Sequence, residues 1–216
     1  MKIHFTDNTN DEIKTIFCLG LNYSEHIKEM SHQKSEQPVV FIKPLTAICY
    51  EGQKVNIPHL SQQMDYELEM VIYLKNGGSF LNDEEAASCI GAYGVGIDLT
   101  LRDLQKKAKE KGLPWTISKG FNHSAPISKF KKIDDYNLLN NLDMKLIVNG
   151  EIKQKVNTSQ MIFKPIEIIS YLSNFFLLQK GDIIFTGTPS GVGKLHQNDK
   201  IQAIIDNNVK LNIQIN

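Results

Sequence analysis

Asn149-Gly150 stands between two runs of strand-forming residues, Leu142 to Val148 and Glu151 to Val156. Both residues tolerate the positive φ that a two-residue type I′ turn demands, so this pair calls for an antiparallel hairpin. Further short runs read as strands: Ile13 to Leu19 before Gly20, Pro38 to Ile42 before Lys43-Pro44, Val55 to Ile57, Tyr66 to Leu74 before Asn76-Gly77-Gly78, Ile90 to Leu99, Asp182 to Thr186, Lys200 to Ile205 and Lys210 to Ile215. The Pro38 to Ile42 run is apolar and β-branched, which predicts a buried strand. The helical readings are few: Tyr23 to Met30, Asp83 to Cys89, Leu101 to Lys111 closed by Gly112, and Pro165 to Phe175. Strands and helices do not alternate regularly. That argues against a doubly wound parallel sheet and for a β-rich α+β fold. The 216 residues fit one such domain, 1–216.

Lys plus Arg and Asp plus Glu are equal at 24 each, so the formal net charge is zero. A neutral chain lacks the electrostatic footprint of a nucleic-acid or anionic-membrane binder. It also leaves self-association unopposed, so a homo-oligomer is expected. Met1 to Asn8 shows no charged segment followed by an apolar run, and no 18-residue apolar stretch occurs, so a cytoplasmic protein is expected. Cys18, Cys49 and Cys89 form no CxxC pair and no zinc spacing, which predicts buried, reduced thiols.

Asp65-Tyr-Glu67-Leu-Glu69 carries the first chemical signal. On a strand, Glu67 and Glu69 share a face. Either they are exposed on a solvated edge, or a positive group offsets their repulsion, and a hard divalent cation such as Mg²⁺ or Mn²⁺ suits carboxylate oxygens. Asp98 ends the apolar run from Gly94, where an acid is costly without a partner. Three such ligands from two strands would leave coordination positions open for water or substrate.

His26 and Glu29 stand three apart on a predicted helix, and so on one face. The pair is either an ordinary surface contact or a carboxylate-oriented general base. It is not the H-E-x-x-H pattern of zinc proteases. Three carboxylates and one divalent ion leave a negative balance, which calls for cations; Lys43, Arg102 and Lys119 are the candidates. Phe185-Thr-Gly-Thr-Pro-Ser-Gly-Val-Gly-Lys194 is either a plain tight loop or one whose glycines let the backbone approach a ligand, with Thr188 offering a hydroxyl. Leu195 after Lys194 excludes a Walker A loop.

Six segments in order resemble the fumarylacetoacetate hydrolase family, in particular its small single-domain branch of acylpyruvate hydrolases and oxaloacetate decarboxylases. They are Gly20-Leu-Asn-Tyr-Ser-Glu-His-Ile-Lys-Glu-Met30, Phe41-Ile-Lys-Pro44, Asp65-Tyr-Glu-Leu-Glu69, Gly96-Ile-Asp-Leu-Thr-Leu-Arg-Asp103, Gly112-Leu-Pro-Trp-Thr-Ile-Ser-Lys-Gly-Phe121 and Asp182-Ile-Ile-Phe-Thr-Gly-Thr-Pro-Ser-Gly-Val-Gly193. The resemblance implies a mixed β-roll with a few short helices, assembled as a homodimer. It implies Mg²⁺ or Mn²⁺ on Glu67, Glu69 and Asp98, with Ca²⁺ as an inactive occupant. It implies His26 and Glu29 on a lid helix, and Lys43, Arg102, Gln105, Lys119 and Thr188 around the substrate. Leu21 departs from the Arg or Lys of many relatives, and Gly120 from their small polar residue.

The function this implies is metal-dependent cleavage of a carbon–carbon bond in a small 2-oxo or 2,4-dioxo acid through a metal-stabilised enolate. Acylpyruvate or fumarylpyruvate hydrolysis and oxaloacetate decarboxylation both fit. His26, oriented by Glu29, would activate water; Lys119 would stabilise the enolate; 31–36 would hinge the lid. Two alternatives stand beside it: an isomerase, hydratase or decarboxylase of unsaturated dicarboxylates from aromatic degradation, and a non-catalytic metabolite-binding protein.

Overall fold

The computed structural model describes residues 1–29 and 36–216. The hairpin forms as its turn dictates: Asp143–Val148 pairs antiparallel with Glu151–Asn157. Asn149 and Gly150 take φ values of 52° and 89°, both left-handed, as a type I′ turn requires. Lys200–Ile205, Val209–Ile215 and Lys54–Val55 extend this pair into a five-stranded sheet.

A larger, eight-stranded sheet carries the chemistry. Its order is Val39–Lys43, Ile16–Gly20, Ile183–Phe185, Leu68–Leu74, Ile90–Ile97, Ala125–Ile127 and Ile48–Tyr50, with Lys131–Lys132 also paired to Ile90–Ile97. Leu68–Leu74 lies in its middle and every residue of it is buried. Leu68, Met70, Ile72 and Leu74 face the larger core, while Val71 and Tyr73 face a second core with Ile16, Phe130 and Phe185. Such a strand reads as a continuous apolar run because both faces leave water, each full side chain contributing about 1.5–3 kcal/mol. A three-stranded sheet of Met64–Tyr66, Thr100–Leu101 and Gly193–Lys194 lies beside the acids. The strand-rich architecture, a sheet curled into a half-barrel with five short helices among the described residues, is the β-rich α+β roll that was expected.

Several boundaries differ from the sequence reading. The Tyr66 to Leu74 run is two strands interrupted at Glu67, because Met64–Tyr66 leaves for the three-stranded sheet. Val39–Lys43 is a half-buried edge strand with Ile42 43% exposed, not a buried one; among the described residues it pairs with Ile16–Gly20 alone. Thr116–Lys119 is a short helix that no periodicity announced. Ser24–Glu29 forms the first helix; Met30 and residues 31–35 of the hinge expected at 31–36 lie outside the described residues. The three cysteines are buried and unpaired. No described helix is long and apolar enough to cross a membrane.

Candidate active site

Three carboxylates converge where the central strands end. Glu69 leaves Leu68–Leu74 opposite Gly96, Glu67 occupies the break before that strand, and Asp98 follows Ile90–Ile97. The Asp98 N–H donates to the Glu67 carbonyl at 2.8 Å, so the ladder itself fixes these two segments together. Glu67, Glu69 and Asp98 are 5%, 1% and 0% exposed, and one oxygen of each lies within 4.8 Å of the others. That burial removes the solvated-edge alternative.

Three cations answer the acids. Lys119 donates to Glu67 Oε2 at 2.7 Å, to Asp98 Oδ2 at 2.6 Å and to Thr100 Oγ1 at 2.7 Å. Arg102 donates to Asp65 Oδ2 at 2.8 Å, to Glu67 Oε1 at 2.5 Å and to Gln105 Oε1 at 2.7 Å. Lys43 pairs with Asp98 Oδ1 at 2.8 Å and donates to Ser124 O and Oγ, both at 3.1 Å, and to the Lys119 carbonyl. Asp65, Glu67, Glu69 and Asp98 thus face Lys43, Arg102 and Lys119, leaving one negative charge over.

The excess falls on Glu69. Its contact is the Gly187 N–H at 2.6 Å, and it has no ion pair among the described residues. Burial first, then Asp98 and Glu67, push its carboxyl well above the usual carboxylate range. For Glu67, burial acts upward, but Lys119 and Arg102 outweigh it and hold the group below that range. Lys119, despite its own burial, is held above the ordinary lysine range by Asp98 and Glu67. Asp98 Oδ1 receives no aligned hydrogen bond, its cationic neighbour being the Lys43 ammonium. A buried all-oxygen set with one charge in excess and one poorly satisfied oxygen fits a hard divalent cation such as Mg²⁺ or Mn²⁺.

A narrow cleft opens beside the acids, and His26, Arg102, Gln105, Lys119, Thr188 and Glu67 all line it. Arg102, Gln105 and Lys109, three and seven residues along one helix, present one face to it. The Lys109 ammonium lies 5.0 Å from the Trp115 ring centroid, and burial, then Arg102 and Lys119, lower its hold on its proton. Leu21, with φ of 61°, forms part of the wall. His26 Nδ1 lies 3.1 Å from Glu29 Oε2, and Glu29 in turn accepts the Gly191 N–H at 3.1 Å. In the tautomer that donates from Nδ1 to Glu29, Nε2 is left as an acceptor.

The sequence-predicted residues therefore gather at one place. Lys43 stands behind Asp98 and not on the cleft wall: its side chain is fully enclosed and pairs with that acid. Sequence reasoning missed Asp65, Lys109, Trp115 and Gln154. Asp65 stood in the quoted acidic motif without a role, and Lys109 carried a helical-spacing signal from Arg102 and Gln105. Gln154, in a run of charged residues, gave no signal.

The sequence model described as "Fumarylacetoacetate (FAA) hydrolase C-terminal" matches residues 15–216, and the chain belongs to this family. The chain is 40% identical over 205 residues to the mitochondrial oxaloacetate tautomerase of Mus musculus, covering 94% of this chain and 91% of that one. It is 39% identical over 195 residues to an oxaloacetate tautomerase of Escherichia coli, covering 90% and 89%. The crystal structure of fumarylpyruvate hydrolase from Pseudomonas aeruginosa in complex with Mn²⁺ and pyruvate superposes with a TM-score of 0.94 at 32% identity, covering 100% of this chain and 95% of that one. Tautomerisation breaks no carbon–carbon bond; as an isomerisation it stands nearer to the isomerase alternative than to the cleavage expected first, although neither expectation named oxaloacetate as the substrate of a tautomerase.

Proposed function

We propose that this protein interconverts the enol and keto forms of a small 2-oxo dicarboxylic acid, with oxaloacetate as the substrate it suits best. The observation that carries the reading is the small cleft in which Arg102, Lys109, Lys119 and His26 surround one face of a buried three-carboxylate centre. Two near-full-length relatives named as oxaloacetate tautomerases support it.

Glu67, Glu69 and Asp98 would hold Mg²⁺ or Mn²⁺, which when bound supplies a Lewis acid toward carboxylate and 2-oxo oxygens. Arg102 and Lys109 draw a dianion into the cleft and orient its carboxylates. The Lys119 ammonium stands where negative charge grows on the 2-oxo oxygen as the C3 proton leaves. Thr188 offers its hydroxyl from the facing loop. His26, held by Glu29, carries the proton at Nε2 between C3 and the oxygen. The protein would act as a homodimer.

A second reading, hydrolysis of an acylpyruvate or fumarylpyruvate, is favoured by the His26–Glu29 pair, which suits removal of a proton from water. Decarboxylation of oxaloacetate would use the same residues without that water. One experiment separates them: follow the ultraviolet absorbance of enol-oxaloacetate, and in parallel that of acetylpyruvate and fumarylpyruvate, with Mg²⁺, with Mn²⁺ and with chelator. Metal-dependent decay of the enol with no loss of total oxaloacetate is the expected result. Consumption of the pyruvate derivatives, with the enol decaying at its spontaneous rate, would replace the reading with the hydrolase. Mn²⁺ binding without turnover of any of the three would leave a metabolite-binding protein.

A further inference from the structure

Gln154 sits on Glu151–Asn157 at an inward position that the strand pattern reserves for apolar residues, and it is 1% exposed. Its amide is used at both ends. The Oε1 atom accepts the Leu68 N–H at 2.9 Å, next to Glu67. The Nε2 atom donates to Thr188 Oγ1 at 3.0 Å and to Pro189 O at 2.9 Å, with Ser190 O at 3.4 Å. The loop it grips presents three groups to the site: the Gly187 N–H to Glu69, the Thr188 side chain to the cleft, and the Gly191 N–H to Glu29.

The loop has little freedom to find this arrangement by other means. Gly187 and Gly191 both have left-handed φ, 96° and 93°. A Cβ on Gly187 would come within 2.7 Å of Asn22 Cβ, and one on Gly191 within 2.5 Å of the Lys153 carbonyl oxygen. The loop therefore packs directly on the backbone beside Gln154, and that amide ties it to the Glu67 segment in addition to the bond between the Gly187 N–H and Glu69.

We infer that Gln154 is a positioning residue for the reaction: one buried amide sets the register between the 187–191 loop and the Glu67 segment, and so fixes Thr188, the Glu69 contact and the His26–Glu29 pair relative to one another. The inference rests on the proposed cleft chemistry for its kinetic arm but not for its metal-binding arm. A buried polar group that loses its partners costs more than the bond itself, so a hydrophobic replacement releases the loop instead of merely loosening it.

The test uses Gln154→Met, Gln154→Glu and Thr188→Val, singly and combined, measuring kcat, KM, melting temperature and affinity for Mn²⁺ alone by calorimetry. Gln154→Glu keeps the acceptor for the Leu68 N–H, removes the donors to Thr188 and Pro189 and adds a charge, so its Mn²⁺ affinity is compared with that of Gln154→Met, which loses the donors without the added charge. Groups that orient ligands at one remove typically change metal affinity or activity by about 10–100-fold when altered. Both Gln154 variants are expected to weaken Mn²⁺ binding and lower kcat/KM by about tenfold or more at temperatures well below melting. Thr188→Val should cost much less in the Gln154→Met background than alone, since the two act as one unit. Equal cost of Thr188→Val in both backgrounds, or lowered melting with Mn²⁺ affinity and kcat/KM unchanged, would overturn the inference. If the unaltered protein turns over none of the oxo acids, the proposed function fails by itself. The Mn²⁺ affinities of the Gln154 variants still decide the inference.

Discussion

Replacing Lys43 by Met separates two incompatible roles for that residue. The sequence places it among the substrate contacts, whereas the structure encloses its side chain completely and pairs it with Asp98 at 2.8 Å. Removing one member of a buried pair costs about 3–5 kcal/mol, because the other charge stays behind without compensation. In a chain of this size 1 kcal/mol moves the melting temperature by about 2–4 °C, so a loss on the order of 6–20 °C is expected in chelator. The site already carries one uncompensated acid, and the substitution adds a second. Mn²⁺ should therefore restore part of the loss, about 2.7 kcal/mol at one hundred times its Kd. Differential scanning fluorimetry with chelator and across a Mn²⁺ series measures both quantities. Melting within about 2 °C of the unaltered protein, together with a raised KM, would refute the burial argument and return Lys43 to the substrate.

Three other outcomes follow from specific contacts. Lys109→Met should raise KM for oxaloacetate by about tenfold or more, the worth of a charged hydrogen bond, and leave competitive inhibition by acetylpyruvate, which lacks a distal carboxylate, little changed; steady-state kinetics with and without acetylpyruvate decide it. The Tyr73 hydroxyl, against burial and with help from Lys180, holds the Asp11 carboxyl down at about 2. Since this folded-state value lies below the unfolded one, the stabilisation is complete above about pH 4 and is lost as pH falls toward 2, so Tyr73→Phe should flatten the acid limb of urea midpoints between about pH 4 and pH 2, and equal limbs would contradict it. Burial pushes the Cys49 thiol up to about 11 and raises Cys18 and Cys89 as well, so a thiol reagent at neutral pH should react with none of the three until denaturant is added, as a simple absorbance titration would reveal.

What the sequence made legible was mostly local. Asn149-Gly150 announces its hairpin because the turn's φ requirement is written in two adjacent residues. Glu67, Glu69 and Asp98 stand out because acids in apolar strands need a reason. Period-two alternation, however, says which residues share a face and not what lies across from it. The break at Glu67 arises because Met64–Tyr66 joins a different sheet, a tertiary choice with no local mark. Lys43 follows an apolar strand as a surface lysine or a substrate lysine would, and only the fold shows Asp98 and Ser124 closing around it. Gln154 lies among charged residues on a strand whose other polar side chains face water, so its inward turn leaves no pattern to read.

The pairing of Ile16–Gly20 with Ile183–Phe185 has a kinetic consequence. The first strand can complete its second edge only after nearly the whole chain has emerged, and Asn22 reaches Thr186 across 164 residues. Contacts of such long range make slow folders, since the loop-closure entropy is spent before the contact returns anything. During synthesis the segment bearing His26 and Glu29 waits beside an open sheet edge. The reaction centre, whose parts come from both ends of this pairing, should be among the last regions of the molecule to acquire native protection.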